Sequence, residues 1–96
     1  MKFIGFWELC PDDLDKVIEK TLYVMKERQS GSKKYGTAIY GPYAMGGEYK
    51  GFTVFEFEND EQMVNITLHY GPELRWKFVN IVENTKVIEH WQKMKK

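Results

Sequence analysis

The stretch Gly51 to Glu58, GFTVFEFE, limits more than any other feature how this chain can fold. In an extended chain it places Phe52 and Val54 on one side and Phe55 and Phe57 on the other, so neither side is polar. The same two-sidedness returns elsewhere. Lys2 to Leu9 sets Phe3, Gly5 and Trp7 against Ile4 and Phe6, and Leu74 to Glu83 sets Trp76, Phe78 and Val82 against Val79 and Ile81. A sheet with one face in water shows alternating apolar and polar positions. These strands do not, so large apolar side chains remain uncovered whichever face the helices occupy.

Helical patterns separate the strands. Pro11 suits the first position of a helix, with Asp12 and Asp13 favourably placed in its first turn. Leu14, Val17, Ile18, Thr21, Leu22 and Met25 follow at helical spacing, and Gly31 is the terminating residue. Tyr35 to Tyr43 reads as the second strand. It contains Gly41-Pro42, and a proline that cannot donate to a ladder belongs at a sheet edge or a bulge. The turn AMGGEY joins it to Gly51–Glu58 as a hairpin. Asn59 is placed to cap a second helix with Gln62 as its reciprocal partner, and Met63, Ile66, Thr67 and Tyr70 form that helix's stripe. Gly71-Pro72 stops it. After the last strand, Asn84 or Thr85 caps a final helix with Val87, Trp91 and Met94 on one side.

The order β-α-β-β-α-β predicts an α+β fold: an antiparallel sheet of order 4-1-3-2, both main helices on one face, and an extra C-terminal helix. That order puts the Pro42 strand at an edge, where proline is tolerated. Residues 1–84 form the predicted domain and 85–96 a helical extension.

At 96 residues the chain makes one domain with a limited core, yet 43% of it is hydrophobic and 16% aromatic. An apolar patch of several hundred Å² normally marks an interface, and covering it at roughly 25 cal/mol per Å² favours association by on the order of 10 kcal/mol before entropic costs. The candidate covers are a second copy, stacked bases, or the C-terminal helix folding back. We take the second copy and expect a homodimer.

Charge bears on the bases. Fourteen basic and fourteen acidic residues cancel, and the pI is near 6.7, whereas a domain relying on phosphate contacts carries a basic patch. Lys33-Lys34 and the Lys93 to Lys96 tail are the basic clusters. Lys50-Gly51-Phe52 with Phe57 follows the opening and close of the RNP1 strand of RNA-recognition motifs, and Phe3-Ile4-Gly5 echoes its companion strand. Thr53 then stands where Gly or Ala is usual, Val54 where a stacking aromatic is expected, and Phe55 where an aliphatic residue is. A lost stacking platform is worth roughly 1–3 kcal/mol per base. Binding of single-stranded RNA through Phe52 and Phe3 is therefore a remote alternative, and no nucleic-acid partner is expected.

The opening MKFIGFWELCPDDLDKVIEK, the glycine-flanked strand YGTAIYGPY, the passage FEFENDEQM and the closing strand ELRWKFVNIVEN together resemble the dimeric α+β-barrel domains of the ferredoxin-like superfamily. More narrowly, they resemble a bacterial and archaeal family known only as a domain of unknown function. The resemblance covers about residues 1 to 84. It implies sheets packed face to face in a homodimer, in a superfamily that includes cofactor-independent monooxygenases, haem-degrading enzymes and isomerases. Fold alone does not choose among those activities.

Candidate chemistry is sparse. Haem-degrading members use a helix histidine as iron ligand, which draws attention to His69; the helical wheel instead places it off the Met63–Ile66–Tyr70 stripe, on the surface or flank. Cys10, His69 and His90 lack metal-ligand spacing, so neither metal nor cofactor is expected. Cys10 is the only cysteine, which excludes an intramolecular disulfide. Glu8 and Glu56 interrupt apolar strands and are acid/base candidates if burial raises their pKa. Trp7, Tyr40, Phe52 and Trp76 are the expected lining of an aromatic cavity. With no signal peptide pattern and no apolar run long enough for a bilayer, the expectation is a cytoplasmic protein without a membrane partner. The functional expectation is a homodimer binding a small apolar ligand. The alternative is a cofactor-independent monooxygenase or isomerase using Glu8 or Glu56 for proton transfer.

Overall fold

A computed structural model describes residues 1–95; Lys96, the last residue of the predicted 85–96 extension, lies outside the described residues. The chain runs β1 (Lys2–Leu9), a 3-10 turn (Pro11–Asp13), α1 (Leu14–Gln29), β2 (Thr37–Ala44), β3 (Lys50–Glu56), α2 (Asp60–Tyr70), β4 (Leu74–Ile81) and α3 (Asn84–Met94). The sheet is antiparallel with order β2-β3-β1-β4, which is the predicted 4-1-3-2 counted from the other edge. Pro42 lies in edge strand β2, whose pairing with β3 shifts between Ala38 and Tyr40 and again between Tyr40 and Tyr43.

Several element ends differ from the sequence reading for local reasons. The helix opened by Pro11 begins as a 3-10 turn, and the α-helix starts only at Leu14. Gly31, with φ +92°, follows the end of α1 in the conformation that glycine adopts without strain. β2 starts at Thr37, because the backbone carbonyls of Tyr35 and Gly36 accept from Arg28. β4 ends at Ile81, and Glu83 turns back to hold Lys2 at 2.7 Å. Glu83, rather than Asn84 or Thr85, therefore occupies the cap position of α3.

The α2 start follows the predicted capping logic with one displacement. Asn59 Oδ1 accepts from the Gln62 backbone N–H at 3.0 Å. The Gln62 side chain reaches one residue further than a capping box requires, accepting from the Glu58 N–H at 2.7 Å. Its amide also donates to Lys33 O at 2.6 Å, so this buried side chain ties α2 to the loop after α1.

Register sorts the two-sided strands. Phe3, Gly5, Trp7 and Leu9 of β1 share the helix-covered face with Thr53 and Phe55 of β3 and Leu74, Trp76 and Phe78 of β4. Val17, Val24, Tyr35, Phe55, Phe57, Ile66, Tyr70 and Leu74 form the buried core. Glycine makes the aromatic packing possible here. Trp76 and Phe78 stack with ring centroids 5.2 Å apart, and Phe55 meets both edge-on. All three converge above Gly5, where a Cβ would lie 2.9 Å from Phe78, 3.0 Å from Phe55 and 3.0 Å from Trp76.

The helix α3 does not fold back over the sheet. Every residue of it is exposed, including Val87, Ile88, Trp91 and Met94. That removes one of the three covers for the open face.

Candidate functional site

The α1 helix has a wider apolar face than its place on the sheet can bury. Val17, Thr21 and Val24 point down into the core, while Leu14, Ile18, Leu22 and Met25 form a second stripe beside them. This outer stripe overhangs β2 and stays largely uncovered, with Leu22 59% exposed. The β2 edge offers little to meet it, because the groove on that side is met only by small side chains, Ala38 and Pro42. A groove of about 280 Å³ results. One bank is the outer stripe of α1, the other is Ala38 and Pro42, and the floor includes Trp7, Thr53, Phe55 and Trp76.

Polar groups on this groove are few. The Tyr70 hydroxyl donates to Thr21 Oγ1 at 2.9 Å, and Thr21 in turn donates to Val17 O at 2.9 Å. Burial raises the Tyr70 pKa above its ordinary value, against the opposing effect of the hydrogen bond Tyr70 donates to Thr21. Arg28 sits at the C-terminal end of α1, its guanidinium carbon 5.9 Å from the centre of the Phe55 ring. Its Nε donates to Gly36 O at 3.2 Å and its Nη2 to Tyr35 O at 3.3 Å. Burial draws its pKa below the ordinary arginine value.

The opposite face of the sheet carries two apolar rows. Val79, Ile4, Val54 and Tyr40 lie side by side across the strands, and Phe6, Phe52 and Tyr43 form the next row with Lys77 at its end. Tyr40, Tyr43 and Phe52 cluster, with ring centroids 4.8 to 6.3 Å apart. The neighbouring Tyr40 raises the Tyr43 pKa above its ordinary value. Charged residues bound the rows: Lys2 and Glu56 at one end, Glu8, Lys50 and Arg75 at the other.

The four expected lining residues therefore divide between two surfaces. Trp7 and Trp76 are cross-strand neighbours on the groove floor, whereas Tyr40 and Phe52 stack on the open face. Phe3 and Phe52, the pair needed for an RNA platform, also lie on opposite faces, and Phe3 packs 5.9 Å from Phe57. Glu8 is exposed on the open face. Glu56 Oε1 is held by the Met1 amino group at 3.1 Å, and its Oε2 is buried without a hydrogen-bond partner among the described residues.

His69 lies half-buried on the flank of α2. Its Nε2 lies 3.1 Å from Lys20 O at the seam between α1 and α2, with the rings of Tyr23, Tyr35 and Tyr70 at 5.2 to 5.3 Å. Among the described residues no group of three or more His, Cys, Asp or Glu is placed to hold a metal ion. Sequence reasoning passed over Arg28 and the split of α1 into two stripes. The signal for the latter was present, since Leu14, Ile18, Leu22 and Met25 recur at intervals of four, four and three.

The topology is that of a ferredoxin-like α+β domain with an added C-terminal helix. Comparison of the chain with known protein families, with curated proteins and with solved structures finds no match. Among the described residues no helix is long and apolar enough to cross a membrane.

Proposed function

We propose that this protein binds a small apolar ligand in the groove beneath the outer stripe of α1. The observation that carries this reading is the mismatch between a wide helical apolar face and a strand edge of small residues. It leaves an open, concave and mainly hydrocarbon-lined space close to the smallest ligand pockets, which begin at about 300 Å³. Trp7 and Trp76 supply its aromatic floor. Titration of the isotope-labelled protein with octanol, followed by NMR, is expected to shift the indole N–H signals of Trp7 and Trp76 and leave Trp91 unmoved. Saturable shifts absent from both groove tryptophans would reject the reading.

The open face supports a second, compatible element, a homodimer of the α+β-barrel kind. Its two apolar rows lie on the other side of the sheet from the groove, so pairing there leaves the groove accessible. Equilibrium sedimentation is expected to give about twice the 11.4 kDa chain mass, and Phe6→Glu, in the middle of the face, to return the protein to 11.4 kDa. A wild-type protein sedimenting as a monomer at tens of micromolar would sink this element and leave the groove untouched.

A further inference from the structure

We infer that the groove ligand is a free monocarboxylic acid whose apolar body lies along α1 and whose carboxylate is bound by Arg28. The inference rests on the groove reading above and adds the chemistry of the head group. Arg28 lies at one end of an otherwise hydrocarbon channel, with its guanidinium over Phe55. Arginine carries five N–H donors in a planar fork. Only two donor atoms, Nε and Nη2, are engaged here, and both meet backbone carbonyls. Among the described residues no carboxylate lies within ion-pairing distance of Arg28. The two acids in the polar hollow on its other side are occupied, Glu56 by the Met1 amino group at 3.1 Å and Glu58 by Lys33 at 3.9 Å.

A half-buried cation without an anion is an uncommon arrangement, because burial of charge is compensated by pairing. Of the groove's other polar groups, Tyr70 and Thr21 bond to each other, while the Thr53 hydroxyl and the buried, unpartnered indole N–H of Trp76 are neutral and do not favour an acid over an alcohol as Arg28 does. The free Nη edge of the fork matches a carboxylate, which accepts two parallel N–H···O bonds. Size sets the body. At roughly 30 Å³ for each non-hydrogen atom, the share of a water molecule in the liquid, the space holds about nine atoms. Octanoate is close to that size.

The experiment compares octanoate with octanol on the whole chain at neutral pH, by NMR titration of the Trp7 and Trp76 indole signals. A charge-assisted hydrogen bond contributes about 1.5–3 kcal/mol, so octanoate is expected to bind at least about tenfold tighter than octanol. Arg28→Gln should abolish that preference, and Arg28→Lys should restore part of it. Equal affinity for acid and alcohol in the wild-type protein overturns the inference while leaving the groove reading intact. Binding of neither ligand removes both. The wild-type comparison decides the matter even if Arg28→Gln, by losing its bonds to Tyr35 and Gly36, fails to fold.

Discussion

Replacing Gly5 with alanine adds one methyl group at the point where three aromatic rings meet. Two effects favour the variant. Burying a methyl contributes about 0.8 kcal/mol, and removing a glycine from the unfolded chain contributes about 0.4–1 kcal/mol. Against them stands a Cβ at 2.9 to 3.0 Å from Phe78, Phe55 and Trp76, where carbon contacts are favourable only at about 3.5–4.0 Å. Each ring would have to retreat by roughly half an ångström or more. None is a free end: Phe78 also meets Phe57 at 5.8 Å, and Trp76 meets Tyr70 at 5.7 Å. Overpacking of this kind costs about 1–3 kcal/mol, and three simultaneous encounters place Gly5 in the upper part of that range. The net expectation is a loss of about 1 kcal/mol for Gly5→Ala, and more for Gly5→Val. For a domain of this size, each kcal/mol lowers Tm by about 4–8 °C. Urea unfolding at one fixed protein concentration reads the effect without interference from self-association. Gly46→Ala is the control, because a methyl group there would meet nothing within 4 Å, and it should stay within about 0.5 kcal/mol. A Gly5→Ala protein as stable as wild type would refute the claim that these rings are wedged.

Two other perturbations test separate parts of the fold. Gln62→Ala deprives the Glu58 N–H and Lys33 O of their partners, and should cost about 1–3 kcal/mol in urea unfolding while Asn59 still caps α2. The hydrogen bond from Lys20 at 2.9 Å holds the Glu73 pKa below its ordinary value of 4.5. That pairing stabilises the folded chain above the ordinary value and is lost as pH falls through the folded one. Glu73→Gln should therefore show a smaller drop in Tm between pH 7 and pH 3 than wild type, by calorimetry.

Local rules carried most of the fold. Pro42 announced an edge strand, the Asn59–Gln62 pair announced the start of α2, and the run of aromatic residues announced a sheet apolar on both sides. What was not legible depended on neighbours distant in sequence. Only the pairing of Gly5 with Thr53 and Phe78 reveals which face the helices cover. That choice then sends Trp7 and Trp76 to the groove and Tyr40 and Phe52 away from it. The α1 pattern marked an apolar face but not its division, because which stripe is buried depends on the lateral position of the helix over β2 and β3. Arg28 was invisible as a site residue for a similar reason: its isolation is a matter of which acids are near it in space. His69 lies on the flank that the wheel assigns it, but its ring contacts with Tyr23 and Tyr35 come from other elements and could not be read there.

The sheet's apolar character on both sides has a consequence for how its strands find their partners. Where one side is polar, a strand that slips by one residue exposes its greasy set and is rejected at once. Here a slip would exchange one oily surface for another, so hydrophobicity alone is a poor judge of alignment. Shape must discriminate instead. Gly5 receives the rings of Phe55, Trp76 and Phe78, and Gly51 lies opposite Trp7, so only one alignment gives each bulky ring a vacant seat.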